Sequence, residues 1–197
     1  TSQELEYWSY QVISDVLYKR SSSVVEGERV DATSAQKLFL STQLDYKLSD
    51  PNNRVFIYGE YEDDRFSGFD YQTSIAAGWT SRLWRDDISE LKYSIGPGYA
   101  VSKFEPVKNL PDEQNLIVRA AFEYKHKFNK QATFRQFVST EAATDSTKTK
   151  SETSLSTKIN GSLAMKLTFV VNHDTGVSQD TEELDTETAV TLVYQFF

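Results

Sequence analysis

The segment Asn115–Phe128, NLIVRAAFEYKHKF, alternates between apolar and charged residues with great regularity. One side of the extended segment carries Leu116, Val118, Ala120, Phe122, Tyr124 and Phe128, and the other carries Arg119, Glu123, Lys125 and Lys127. Because successive side chains of a β-strand point to opposite faces, this period of two predicts a strand with one apolar and one charged face. The segments 37–48 and 161–172 repeat the pattern.

The same alternation continues along the chain and predicts ten strands. Most of them exceed the length of about five or six residues that is usual in globular proteins. Their approximate ranges are 4–19, 32–48, 54–62, 69–84, 88–104, 115–128, 131–143, 150–159, 162–173 and 185–197. No linker rich in Pro, Gly or Ser divides the 197 residues, so we expect a single domain over 1–197.

The composition excludes several classes of function. A net charge of −8 opposes nucleic-acid binding, which requires a basic face. Cysteine is absent, which removes disulfides, thiolate metal sites and cysteine nucleophiles. No stretch approaches the run of about 18 apolar residues that a transmembrane helix needs, whereas transmembrane β-strands leave only a weak alternating signal. If the protein is exported, we expect the sequence from Thr1 to be its mature form.

The connections between the predicted strands indicate a membrane barrel. Every second connection is tight (SDPNN, RDD, NK and NG), as expected of short periplasmic turns that alternate with longer outer loops. The excess of acids in the longer connections equals the net charge of −8. Aromatic residues gather near both ends of the apolar faces, as in interfacial girdles. These features predict an antiparallel up-and-down transmembrane β-barrel of about ten strands.

The alternation alone does not say which face is outside. A soluble β-barrel or sandwich with an apolar interior, able to bind an apolar ligand, therefore remains an alternative. In the segment SIGPGY we expect Gly96 and Gly98 to face the lumen, where they leave room for larger neighbours, and Pro97 to face lipid.

Three segments resemble the YdiY-like family of salt-induced outer-membrane proteins of Gram-negative bacteria. They are YEDDRFSGFDYQTSIAAGW (61–79), YSIGPGY (93–99) and DTETAVTLVYQF (185–196), within a likeness that covers about residues 56–197. The resemblance implies a barrel in the bacterial outer membrane, in contact with lipid and lipopolysaccharide, and supplies no catalytic residue. Members of the family often carry one more N-terminal hairpin, which implies 12 strands if this chain lacks it.

The end of the chain resembles the signal by which the barrel-assembly machinery recognises its clients. The residues in phase with that signal are Val190, Leu192, Tyr194 and Phe196. Thr191 stands where the signal usually has glycine, and Phe197 follows the terminal aromatic. The alternative is an ordinary final core strand.

Charged residues opposite the apolar faces predict a polar network in the lumen. They are Lys37, Asp45, Lys47, Glu60, Arg82, Lys92, Arg119, Glu123, Lys125, Arg135, Glu152, Lys158 and Lys166. Two interpretations stay open. The charges could line a narrow ion-selective path, since rings of charge tune selectivity. They could instead fill the lumen with salt bridges, because barrels of about eight strands are filled by side chains.

A further group of residues is predicted at an acidic outer rim. It consists of Glu62, Asp63, Asp64, His173, Asp174, Asp180, Glu182 and Glu183. A histidine beside carboxylates suggests a rim-site hydrolase of omptin-like architecture, although no omptin motif is present. Hard cations also bind carboxylates, but no regular ligand spacing occurs, so we expect at most a loose association that bridges lipopolysaccharide phosphates.

We therefore expect an integral outer-membrane β-barrel with a structural or envelope-interaction role, or with narrow, porin-like passage of small solutes. The expected partners are membrane lipid, the assembly machinery and an unidentified envelope protein. We expect no enzyme activity, catalytic residue, metal site or cofactor. The rim-site hydrolase and the soluble ligand-binding barrel are the alternatives.

Overall fold

The computed structural model describes residues 2–25, 28–64, 69–104, 112–161, 163–177 and 182–194. These residues form one sheet of 11 antiparallel strands in chain order, curled strongly into a half-barrel. The strands are β1 (Ser2–Glu4), β2 (Trp8–Val25), β3 (Glu28–Lys47), β4 (Asn53–Asp64), β5 (Phe69–Arg85), β6 (Ser89–Phe104), β7 (Glu113–Lys127), β8 (Ala132–Ala142), β9 (Thr147–Lys158), β10 (Leu163–Asp174) and β11 (Leu184–Tyr194). No helix in the described part of the chain is long and apolar enough to cross a membrane.

The all-β, antiparallel, up-and-down order is confirmed, and the ten predicted strands correspond to β2–β11. The strand count was wrong by one, because the chain turns within the predicted first strand. The Leu5 amide donates a hydrogen bond to the Trp8 carbonyl at 2.7 Å. This turn folds β1 back onto β2, so that Glu4 pairs with Ser9.

Several strands extend further than predicted. β2 runs to Val25 and β3 begins at Glu28, so two acids expected in the first outer connection, Glu28 and Asp31, belong to a strand. Lys148, also expected in a loop, lies in β9. The longer connections therefore hold fewer of the charges than the sequence suggested. The predicted strands ended too early because alternation weakens where polar residues occupy both faces of a strand.

The four predicted tight turns are each closed by an Asp or Asn side chain. Asp50, Asp86, Asn129 and Asn160 accept hydrogen bonds from backbone amides two or three residues later, at 2.6–3.0 Å. These residues favour turns because a short side chain reaches its own backbone in this way. The four turns, and the strand ends that they join, lie at the same end of the sheet, which we call the turn side.

The apolar strand faces lie on the outer, convex side of the sheet. Ile57, Ile75 and Leu116 are 65%, 62% and 80% exposed, whereas Arg119 and Glu123 on the opposite face are 4% and 5% exposed. Strands that are far apart in the sheet contact one another through this polar face, which is therefore the concave one. The polarity is the reverse of that expected for a soluble barrel with an apolar interior.

Aromatic pairs lie on the outer face near both ends of the strands. The ring centroids of Trp8 and Tyr46 are 4.8 Å apart near the turn side, and those of Tyr61 and Tyr71 are 6.0 Å apart at the opposite end. Rings in these positions are typical of residues that lie at the level of lipid headgroups.

Candidate functional site

Three cations lie over aromatic rings at mid-height of the concave interior. The distance from Arg119 Cζ to the Tyr58 ring centroid is 3.6 Å, from Lys150 Nζ to Phe39 4.2 Å, and from Arg135 Cζ to Phe137 5.1 Å. We call these six residues the central layer. They border one space of only about 60 Å³. Attraction between a cation and an aromatic face strengthens when both are removed from water. The three contacts therefore stabilise one another's positions, and together they narrow the interior.

Small residues between Arg119 and Tyr58 make their contact possible. Arg119 lies on β7 and Tyr58 on β4, so the guanidinium must cross β5 and β6. At the level of this contact, the residues on the concave face of these two strands are Ala76, Gly78, Gly96 and Gly98. A Cβ on Gly96 would lie 2.1 Å from the Ala77 carbonyl oxygen, so the two strands approach too closely for any side chain there.

The predicted orientation of this segment is confirmed. Gly96 is buried and pairs with Arg119 of the concave face, whereas Pro97 is exposed on the outer face. Their alternation follows from the strand geometry, since neighbouring residues point to opposite sides.

An outer cluster joins β3, β4 and β9 on the loop side of the central layer. Glu62 Oε1 lies 2.6 Å from Lys37 Nζ, and Glu62 Oε2 lies 2.6 Å from Lys148 Nζ. Lys148 also contacts Glu60 Oε1 at 3.2 Å, and Glu60 accepts a hydrogen bond from the Tyr58 hydroxyl. Lys37, Glu60, Glu62 and Lys148 border a chamber of about 470 Å³ at the loop end. Buried charges require such partners, because each loses its hydration on folding.

An inner cluster adjoins the central layer on its turn side, shares Arg135 with it and joins β6 to β10. Glu123 contacts Lys92, Arg135 and, at 3.3 Å, Lys125. Glu152 contacts Arg135 at 2.8 Å and Lys166 at 3.3 Å. The buried carboxylate of Glu123 thus forms ion pairs with three cations.

A second chamber of about 340 Å³ lies between the inner cluster and the turn-side end. Glu4 of β1 contacts Lys47 at 3.1 Å and Arg54 at 2.9 Å, and Arg82 contacts Glu90 at 2.6 Å. The described part of the interior therefore has a charged chamber on each side of the central layer.

Of the predicted lumen charges, all except Lys158 make an ion pair, a hydrogen bond or a ring contact on the concave side. Lys158 is exposed at the end of β9. Asp45 has neutral partners, and accepts hydrogen bonds from Gln43 at 3.0 Å and Thr80 at 3.3 Å.

The prediction missed other interior residues. They are Glu4, Phe39, Arg54, Tyr58, Glu90, Phe137, Glu141, Lys148 and Lys150. Arg54 and Tyr58 lie in RVFIYGEY, where apolar residues on both faces obscure the alternation. Lys148 and Lys150 alternate with threonine in TKTK, a period-two pattern that could have extended the predicted strand.

Six of the eight predicted rim residues line the chamber at the loop end: Glu62, Asp64, His173, Asp174, Glu182 and Glu183. Glu62 and Asp64 face the interior beside Lys37, whereas Asp63, between them, points to the opposite face of β4. Glu182 is exposed. Asp180 lies outside the described residues. Within the described ranges no three His, Cys, Asp or Glu residues are placed to hold a metal ion.

The histidine of the predicted rim does not face its neighbouring aspartate. His173 and Asp174 are consecutive in β10 and point to opposite faces. His173 Nε2 lies 3.8 Å from Glu183 Oε2, and both side chains are exposed. Asp174 instead accepts a hydrogen bond from Gln72 at 3.3 Å. This is not the arrangement of a general base and the carboxylate that orients it.

The residues of the predicted assembly signal lie at the edge of the described sheet. Val190 and Leu192 are exposed on the outer face of β11, and Tyr194 is its last residue. Phe196 lies outside the described residues.

Comparison with known families gives one match. The sequence model of a family described as "Protein of unknown function, DUF481" matches residues 1–196, which is nearly the whole chain. No curated protein matches the sequence.

Proposed function

The chain belongs to the DUF481 family, and we propose that it is an integral β-barrel of the outer membrane of a Gram-negative bacterium. On this proposal the convex face contacts lipid and the charged interior is constricted at the central layer. The resemblance of three segments to the YdiY-like salt-induced outer-membrane proteins supports the same location.

The observation that carries the proposal is the reversed polarity of the sheet. Large apolar side chains such as Ile57, Leu116 and Leu167 are exposed, while arginines and glutamates occupy the concave interior. Transfer of apolar surface out of water is favourable by about 25 cal/mol per Å². A face of this extent is stable only where something apolar covers it, and the hydrocarbon of a bilayer covers the whole outer surface at once.

Closure of the barrel is part of the proposal. β2 and β11, the first and last of the ten long strands, run in opposite directions and can therefore pair in the antiparallel manner of the other strands. Among the described residues β1 pairs with Ser9–Gln11 alone, which leaves the rest of that edge of β2 available there. In hydrocarbon an unpaired edge would leave backbone groups without hydrogen bonds, each at a cost of several kcal/mol, so closure is strongly favoured.

The interior favours a structural or envelope-interaction role over free diffusion. Contacts across the central layer leave a space of about 60 Å³, which is far smaller than the chamber on either side. Any passage would be confined to ions and small solutes. The proposed partners are membrane lipid, lipopolysaccharide, an envelope protein and, during biogenesis, the assembly machinery that reads the C-terminal aromatic pattern.

A gel and solubility experiment tests the proposal. The protein is purified in detergent and run on a denaturing gel with and without boiling, and the detergent is then removed. We expect a band whose migration changes on boiling and a protein that precipitates without detergent. A monomer that stays soluble without detergent would overturn the proposal.

A further inference from the structure

We infer that the turn-side chamber binds a small oxyanion of the phosphate class through Lys92 and Lys125. The inference deepens the proposed function and depends on it only in that the closed barrel encloses this chamber. It rests on the balance of charge, on the exposure of the two lysines and on the space in front of them.

The turn-side half of the described interior has more cations than carboxylates. The seven cations are Lys47, Arg54, Arg82, Lys92, Lys125, Arg135 and Lys166, and the five carboxylates are Glu4, Asp45, Glu90, Glu123 and Glu152. Two positive charges are therefore not balanced there. In an enclosed space of low dielectric such an excess attracts anions strongly.

The excess is located at the inner cluster. Arg82 has its own carboxylate in Glu90, at 2.6 Å. Arg54 contacts Glu4 and also donates a hydrogen bond to the Ser9 hydroxyl, which in turn donates one to Asp45. In the inner cluster, however, Lys92, Lys125, Arg135 and Lys166 share only Glu123 and Glu152. Four cations on two carboxylates account for the whole imbalance.

Lys92 and Lys125 are the members of this cluster that line the turn-side chamber. Lys166 is similarly exposed, at 34%, but does not line it. The side chains of Lys92 and Lys125 are 37% and 42% exposed, whereas that of Glu123 between them is 5% exposed. Each ammonium has three N–H donors, and the contact with Glu123 uses one of them. The remaining donors are available to a ligand that accepts several hydrogen bonds.

The chamber fits a small ligand of this kind. Both lysines line its volume of about 340 Å³, which is near the lower limit for ligand pockets. A phosphate-class dianion would neutralise the two positive charges and present several acceptor oxygens, and lysine is a frequent phosphate ligand because of its compact charge. The described lining of the outer chamber contains nine carboxylates and three lysines, so the same anion would be repelled there.

Titration with inorganic phosphate tests the inference. The detergent-solubilised protein is titrated by calorimetry at constant ionic strength, with chloride replaced by phosphate. We expect saturable binding of one phosphate per chain. In the variant Lys92→Gln/Lys125→Gln the affinity should fall by about tenfold or more, because two charge-assisted contacts are lost. The variant should still fold, since Glu123 keeps its contact with Arg135.

The matched control is Lys127→Gln/Lys130→Gln. It removes the same charge from exposed positions at the same end of the sheet, outside the chamber. We expect its affinity for phosphate to equal that of the wild type. Absence of saturable binding by the wild type, or an equal loss in the control, would overturn the inference. So would binding that persists in the Lys92→Gln/Lys125→Gln variant.

The titration is independent of the test of the proposed function. A change of gel migration on boiling, measured on each variant, reports whether the barrel has formed. If the wild type proves soluble without detergent, the membrane proposal fails while the phosphate titration still decides the binding site. If the band is heat-modifiable and phosphate does not bind, only the anion site is wrong.

Discussion

Lys148 Nζ on β9 lies 2.6 Å from Glu62 Oε2 on β4, although the two residues are 86 positions apart in the chain and five strands apart in the sheet. A flat sheet would separate these strands by more than 20 Å, since neighbouring strands lie about 4.8 Å apart. The contact therefore shows that the sheet is strongly curled, and it links the two halves of the sheet across the interior.

Loss of Lys148 should destabilise the protein. The substitution Lys148→Ala leaves Glu60 and Glu62 without their shared cation, and removing one partner of such a partly buried pair costs about 1–3 kcal/mol. Urea unfolding in detergent measures the change in the free energy of unfolding. Lys130→Ala, in an exposed turn, is the control and should change it by less than about 0.5 kcal/mol. Equal effects of the two substitutions would contradict the role of Lys148.

A side chain at Gly96 should prevent the close approach of β5 and β6. The Cβ of Gly96→Ala would lie 2.1 Å from a backbone oxygen, so the strands must separate, at a cost of about 2–3 kcal/mol. The temperature at which the gel band shifts should fall. Gly161→Ala is the matched control, because a Cβ there meets nothing within 4 Å. If the band of Gly96→Ala shifts at the same temperature as that of the wild type, β5 and β6 are further apart than the structure shows.

A lysine on the outer face should distinguish a lipid environment from water. Ile57 and Ile88 are similarly exposed, at 65% and 54%, but Ile57 is in the middle of β4 and Ile88 is in a tight turn. In a bilayer Ile57→Lys should cost about 2–4 kcal/mol and Ile88→Lys about 0–1 kcal/mol. Unfolding of both variants in lipid vesicles measures the difference. If neither substitution changes stability, the outer face does not contact hydrocarbon.

Removal of Arg119 should open the central layer. Its guanidinium covers the Tyr58 ring at 3.6 Å, and Arg119→Ala takes the longest side chain of this contact out of the narrowest space. We expect the wild type to conduct weakly in planar bilayers and the variant to conduct roughly twofold more or better, because pore width limits the current. Lys127→Ala, at the exposed end of β7, should leave the current unchanged. A current that does not rise in Arg119→Ala would place the constriction elsewhere.

The strands and turns could largely be predicted because their signals are local. The alternation in 115–128 assigned Arg119, Glu123 and Lys125 to one face, and the structure places all three in the interior. The tight turns followed from Asp and Asn at the strand ends. Prediction failed where the pattern was mixed: the turn at 5–7 that forms β1 and the polar start of β9 at Lys148 had no clear apolar face.

The sequence by itself determined the all-β class, the order of ten long strands, the tight turns and the two faces of the strands that alternate clearly, because each depends on residues close together in the chain. Only the tertiary structure decided that the charged faces lie inside, and that Lys148 meets Glu62 and Arg119 meets Tyr58. Those contacts depend on the curl and register of the whole sheet, which small residues such as Gly78 and Gly96 permit through close strand packing. The curl of the sheet is the sum of small contributions from many strands, so no local pattern in the sequence reveals it.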